Sequence, residues 1–127
     1  LSKAGIKVIT IVDSASHEAI EKCSFVMLGA DAILKDGVIN KIGSSGIAEM
    51  SFVHKKPFYI VADSWKFSPR NVRIEERHFH EVWKNAPAHV KVKNSAFAKI
   101  EKGHITGIIS EYGVLSYDAF LRKMLKS

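Results

Sequence analysis

The sequence predicts an α/β domain, a parallel sheet flanked by helices, and three observations point to it. Runs rich in β-branched and other apolar residues (Ile6 to Val12, Phe25 to Leu28, Phe58 to Ala62) alternate with stretches of helical character. The second and third runs are apolar nearly throughout, as parallel strands covered on both faces should be. All three lead into carboxylate or hydroxyl residues: Asp13-Ser14, Asp31 and Asp63-Ser64. Strands alternating with helices form βαβ units with right-handed crossovers, and open α/β sheets bind ligands beyond the carboxyl ends of their strands.

The elements follow in order. Leu1 to Gly5 reads as the last turn of a helix stopped by glycine, and a chain that starts this way, without methionine, is expected to be a domain whose N-terminal neighbour is missing. Ile6 to Val12 is the first expected strand, and Asp13 to Ser16 offers N-caps to a short helix through Glu18, Ala19, Ile20 and Cys23. Phe25 to Leu28 is the next strand. Ala32 to Leu34, the turn signal Lys35-Asp36-Gly37 and Val38-Ile39 form a small hairpin-like excursion. Gly43-Ser44-Ser45-Gly46 opens a helix whose stripe is Ile47, Ala48, Met50, Ser51 and Val53, ended by Lys55-Lys56-Pro57. Glu49 stands at the wrong distance from either serine for a capping box.

Phe58 to Ala62 is the third strand. Trp65 to Pro87 loses periodicity and is expected to be an irregular connection or arm, broken at Ser68-Pro69. Val90 to Lys93 alternates like an edge strand, and Ile105 to Ile109 is a strand whose Gly107 signals close backbone approach. The last helix has Ser116 as cap, Asp118 in its first turn, Phe120, Leu121, Met124 and Leu125 on its buried face, and Lys126 at its C-terminal end.

Composition narrows the function classes. The 127 residues, 46% hydrophobic and 25% charged, suit one domain with a substantial core. No apolar run approaches the roughly 20 residues of a membrane span and no secretory signal opens the chain, so a cytoplasmic location is expected. One cysteine, Cys23, excludes an internal disulfide. A net charge of +6 favours acidic partners, but Lys55, Lys56, Lys66, Arg70, Arg73, Lys84, Lys91, Lys93 and Arg122 are scattered over several elements. That scatter reads as solvated surface, and no direct DNA binding is expected.

The chemistry concentrates between Phe25 and Ser45. Asp31, delivered by an apolar strand through Gly29-Ala30, is expected beside apolar walls, where desolvation would raise its pKa toward the range useful for acid/base work. A turn cap or a pair with Lys41 is the structural alternative for the same carboxylate. Asn40 and Lys41 add donors and positive charge, and Gly43 and Ser44 at a helix N-terminus present free N–H groups to an anion. Together these are the parts of a phosphorylated-ligand site. Neither a P-loop nor a dinucleotide fingerprint is present, and Ser44 and Ser45 lack a hydrolase elbow. His78-Phe79-His80 near Glu75, Glu76 and Glu81 lacks a third ligand at a recognised spacing, His17, His54, His89 and His104 show no motif, and Cys23 reads as core filler, so no metal or cofactor is expected.

Several ordered motifs carry a family resemblance: Gly29-Ala30-Asp31-Ala32, Val38-Ile39-Asn40-Lys41-Ile42-Gly43-Ser44, Pro57 to Ala62, Lys66-Phe67-Ser68-Pro69, Asn94 to Phe97 and Ile105 to Leu115. In these the chain resembles the C-terminal domain of the alpha, beta and delta regulatory subunits of translation initiation factor 2B. The same family includes methylthioribose-1-phosphate isomerases and archaeal ribose-1,5-bisphosphate isomerases. The resemblance implies that residues 1–127 are a single Rossmann-like C-terminal domain, that a helical N-terminal domain precedes it, and that the ligand site lies between the two. It further implies dimerisation through this part, in homo- or hetero-oligomers.

Under that resemblance Asp31 is similar to the isomerases' catalytic acid/base, while Asn40 and Lys41 are similar to substrate-binding residues, with Gly43 and Ser44 beside them. The function expected first is that of a regulatory subunit supporting guanine-nucleotide exchange on initiation factor 2, with that factor as partner and a sugar phosphate or nucleotide as a further ligand; the alternative is a sugar-phosphate aldose–ketose isomerase. Two departures matter. The isomerases also use a cysteine well upstream of Gly-Ala-Asp, and Cys23 stands too close to be it, so the fragment alone is expected to be inactive. Asp63-Ser64-Trp65-Lys66-Phe67 also differs from the Glu-Ser/Thr-Tyr-Lys-Phe form of several members.

Overall fold

A computed structural model describes residues 1–70, 84–91, 93 and 95–126. Among the described residues, three helices, α1 (Ser16–Lys22), α2 (Ser44–Val53) and α3 (Tyr117–Leu125), accompany seven strands: β1 (Val26–Leu28), β2 (Ala32–Ile33), β3 (Gly37–Lys41), β4 (Phe58–Val61), β5 (Phe97–Glu101), β6 (Gly107–Ser110) and β7 (Gly113–Leu115). Two sheets form, with strand orders β1-β4-β6-β7 and β2-β3-β5. In the first, β1, β4 and β6 are parallel and β7 returns antiparallel on β6. The expected α/β class with a mostly parallel sheet is therefore present. The second sheet is antiparallel and grows from the expected excursion, β2 and β3 pairing as Ala32–Ile39 and Ile33–Val38. β5 joins β3 from far along the chain.

One core unites the two sheets. Ile33 and Val38 of the small sheet, Ala48 of α2, Phe58 and Ile60 of β4, Ile100 of β5, Ile108 of β6, and Tyr117 and Phe120 of α3 are all buried in it. On β4 the alternation is clear: Phe58 and Ile60 are fully buried, while Tyr59 is half-buried and Val61 exposed. Gly107 stands where a Cβ would meet Leu115 O at 2.8 Å and the Tyr59 ring at 3.4 Å, the close approach expected of a glycine inside that strand.

Three sequence expectations about strands are corrected. Ile6 to Val12 forms no strand, and Ile6, Val8, Ile9, Ile11 and Val12 are exposed. β-propensity needs a hydrogen-bonding neighbour, and this segment lies on no sheet. Among the described residues β1 is an edge strand paired with β4 alone, and Met27 is half exposed, so the apolar run is covered on one face and not two. Residues 90, 91 and 93 lie outside any strand, and position 92 of the expected Val90–Lys93 strand is outside the described residues. Within the expected Trp65–Pro87 connection, Ser64–Lys66 is a short 3-10 helix, Phe67 bridges Ile33, and positions 71–83 are outside the described residues.

The helices follow the sequence more closely. The start of the chain is a 3-10 turn ended by Gly5 at φ 84°, as its glycine indicated. Side-chain caps expected for α1 are absent; Ser16 Oγ instead donates to Asp13 O. Cys23 ends α1, its thiol donating to Ile20 O at 3.2 Å, and is half-buried and not core filler. α2 buries Ser44, Ala48 and Ser51, while Val53, assigned to its apolar stripe, is exposed. Ser116 caps α3 by accepting from Ala119 N–H at 3.2 Å; Phe120 is buried, Leu121 and Met124 pack on the core, and Leu125 is exposed.

Tyr117, unremarked in the sequence, locks α3 to the β2–β3 turn. Its buried hydroxyl lies 2.5 Å from Leu34 O and 2.6 Å from Gly37 O, sharing its proton between the two carbonyls. Burial, reinforced by Asp36 and opposed by the Gly37 hydrogen bond, raises its pKa. Tyr117→Phe should cost about 1–3 kcal/mol in denaturant unfolding, since it takes a donor from buried carbonyls. The raised pKa means this stabilisation is complete below tyrosine's ordinary pKa and fades only in strong alkali. Wild-type stability in the phenylalanine variant would refute the lock.

Two surface carboxylates titrate with the fold. Asp36 accepts from Lys99 Nζ at 2.6 Å, and that hydrogen bond lowers its pKa; Asp118 is lowered in the same way by Lys102. A carboxylate depressed in the folded state contributes stability above its unfolded pKa and loses it as pH falls through the folded value. The urea midpoint is therefore expected to fall on acidification below about pH 4, more steeply in wild type than in Lys99→Met. High salt should shrink the difference, as both pairs are exposed.

Candidate functional site

The site is built where β1 and β3 end. β1 stops at Leu28, and Gly29-Ala30 carry the chain off the sheet to Asp31, whose N–H donates to Ile39 O at 2.9 Å. That bond holds Asp31 beside Ile39, immediately before the Ala32–Ile39 pair at the end of the hairpin. Asn40 is half-buried opposite Ala98, and Lys41 is exposed opposite Phe97. Ile42 N–H then donates to Ala96 O at 3.0 Å and ends the ladder. The chain turns through Gly43 at φ 96°, which only glycine adopts without strain, into Ser44, the buried first residue of α2.

Asp31 lies against β3 at Ile39, and Asn40, Lys41, Gly43 and Ser44 run from the end of that strand into α2, but the five do not share one cavity. Gly43 and Ser44 line a shallow depression of about 240 Å³ with Asp13, Ser16, Ile47 and Met50. Asp31, Asn40 and Lys41 lie outside that lining. Asp13 and Ser16 had read only as helix caps; nothing in their spacing tied them to the α2 entry. The lining of the depression includes one carboxylate, Asp13, and no cation. Hydroxyls suit it better than a phosphate, which Lys41 would serve.

Asp31 is also exposed, which corrects the expectation of apolar walls around it. It forms no ion pair with Lys41 among the described residues.

A second polar junction stands where β4 and β6 end. Ser64 donates from its N–H to Glu111 Oε1 at 2.8 Å and from its hydroxyl to Oε2 at 3.0 Å, while Trp65 N–H donates to Asp63 Oδ1 at 3.0 Å. Desolvation works to raise the Glu111 pKa, but the Ser64 hydrogen bonds and those from Glu111 N–H and Ser110 together bring it below the ordinary value. The Asp63-Ser64-Trp65 departure therefore holds a structural tie between strands, with Trp65 91% exposed beside it.

Comparison with known proteins decides the family. The sequence pattern of the Initiation factor 2 subunit family matches residues 1–117. The chain belongs to that family. It is 41% identical over 126 residues to a ribose 1,5-bisphosphate isomerase of Archaeoglobus fulgidus, covering 91% of this chain and 39% of that protein. It is 30% identical over 142 residues to translation initiation factor eIF2B subunit alpha of Dictyostelium discoideum, covering 99% of this chain and 44% of that one. In structure it superimposes on translation initiation factor eIF-2B, subunit delta, from A. fulgidus with a TM-score of 0.80 and 36% identity, covering 100% of this chain and 41% of the other. The chain spans about two fifths of the length of these relatives. Their family includes both initiation factor 2B subunits and sugar-phosphate isomerases, and no described helix of this member is long and apolar enough to cross a membrane.

Proposed function

We propose that this member of the family is the C-terminal half of a sugar-phosphate aldose–ketose isomerase, acting on ribose 1,5-bisphosphate or 5-methylthioribose 1-phosphate. The observation that carries this is the Asp31 N–H bond to Ile39 O, which ties Asp31 to β3 next to Asn40 and Lys41 at the end of that strand, with the Gly43-Ser44 entry to α2 following two residues on. Turning an aldose 1-phosphate into a ketose moves protons beside a sugar oxygen. A carboxylate can take and return such a proton, an amide can hold the hydroxyl, and an ammonium can neutralise phosphate.

Asp31 is the acid/base in this proposal, Asn40 and Lys41 bind substrate, and Gly43 and Ser44 shape the wall against α2. A preceding helical domain closes over the exposed carboxylate and brings the cysteine that Cys23 is not. The test is turnover of both sugar phosphates by the protein that carries this domain. Conversion of one supports the proposal; no turnover of either refutes it.

The alternative is a regulatory subunit of initiation factor 2B, which the sequence by itself favours and which 30% identity to an alpha subunit, over 99% of this chain and 44% of that one, supports. In that role the protein binds initiation factor 2 in a cytoplasmic oligomer that supports guanine-nucleotide exchange. Capture of initiation factor 2 at low salt, without sugar-phosphate turnover, would establish this role in place of the enzyme. Light scattering should find the isolated domain self-associated; a monomer mass at high concentration would remove dimerisation through this part.

A further inference from the structure

Away from that site, two imidazoles and a carboxylate converge on one point between α1 and α2. His17 lies in the first turn of α1, Glu21 one turn later on the same face, and His54 ends α2. His17 Nε2 is 3.0 Å from His54 Nε2 and 3.3 Å from Glu21 Oε1, and His54 Nε2 is 3.9 Å from the same oxygen. The rings tilt by 50° with centroids 5.1 Å apart, so their nitrogens and not their faces meet. Sequence spacing hid this group, because His54 is 37 residues from His17.

We propose that His17, Glu21 and His54 bind a zinc ion. In a tetrahedral site with metal–ligand bonds near 2.0–2.1 Å, neighbouring ligand atoms stand about 3.3 Å apart. The three edges here, 3.0, 3.3 and 3.9 Å, bracket that value, so a cation needs only small rotamer adjustments to sit over the triangle. A shared proton can join two or three of these atoms, and a metal cation seated over the triangle engages all three lone pairs at once. Two nitrogens and one carboxylate oxygen suit zinc, whereas magnesium and calcium demand more oxygen ligands. The side chains of His17 and Glu21 are 57% and 45% exposed, leaving the fourth position to water.

The role of such an ion follows from how α1 is held. Ile20 is its single buried residue, and the Ile6 to Val12 segment before it lies on no sheet. An ion bound to both helices fastens α1 to α2 and, through α2, to the core.

Isothermal titration of the protein with zinc, with magnesium as control, tests this. One zinc per chain with a raised thermal midpoint is expected, and no response to magnesium. His17→Ala and His54→Ala should each weaken binding by at least about a hundredfold, a direct ligand mattering no less than the outer-shell groups whose loss costs 10–100-fold. Cys23→Ser should bind as wild type, and cobalt substituted for zinc should show tetrahedral visible absorption without thiolate charge transfer. Glu21→Gln guards against misfolding: it keeps the helix and its shape while removing the charged ligand, and should also weaken binding. Absence of a one-to-one zinc complex, or unchanged affinity in the histidine variants, overturns the proposal.

Discussion

Asp31→Asn, in the protein that carries this domain, is expected to lower kcat for the sugar-phosphate substrate by about 10²–10⁴-fold, the usual contribution of a positioned acid/base. The substitution keeps the side chain's size and leaves the Asp31 N–H bond to Ile39 O untouched, since that bond is made by the backbone. Because the side chain is exposed, folding should shift by no more than about 0.5 kcal/mol. KM should change little, as substrate is held by Asn40 and Lys41 in the proposal; Lys41→Met should do the reverse and raise KM. A wild-type kcat in the asparagine variant would remove Asp31 from the chemistry, and equal losses in stability and activity would make it a structural residue.

Gly37→Ala should have the largest effect on folding, lowering unfolding free energy by about 3 kcal/mol, the upper end of what overpacking a tight site costs. Gly37 opens β3 opposite Glu101 of β5, and an added Cβ would stand 2.4 Å from Ile100 O and 3.1 Å from Lys99 Cε. The lysine can move; the carbonyl belongs to the ladder. Relief requires β3 and β5 to separate at the turn that Tyr117 clasps, so the Tyr117 hydrogen bonds should weaken with it. Gly103→Ala, with nothing within 4 Å of its added Cβ, is the control and should leave the denaturant midpoint nearly unchanged. Similar stability in both variants would mean that β3 and β5 are not packed this closely.

These residues show where the sequence is legible. Gly107 and Gly5 announced a close approach and a helix end, Ser116 announced a cap, and Lys35-Asp36-Gly37 announced the hairpin, because each is a local conformational demand that a few neighbouring residues satisfy. The proposed site residues are drawn from the same local signals: Asp31 follows a strand, and Asn40 to Ser44 run continuously from strand to helix. The exposure of Asp31 was not legible, because its burial depends on what stands against it, and the apolar run before it turned out to be an edge strand with Met27 half exposed.

Ile6 to Val12 has a stronger β-branched pattern than β1, yet pairs with nothing, whereas three-residue β1 and β7 are held in the main sheet by β4 and β6. The sequence alone determined the class of the domain, its local turns and caps, the family motifs and the residue types gathered near Asp31. Only the tertiary structure decided which strands find partners, that β5 completes a second sheet, that Tyr117 fastens it, and that His17, Glu21 and His54 meet. Propensity and turn chemistry act over a few residues and are written in order along the chain, while pairing, burial and convergence are made between residues far apart in sequence, where several arrangements satisfy the same local pattern.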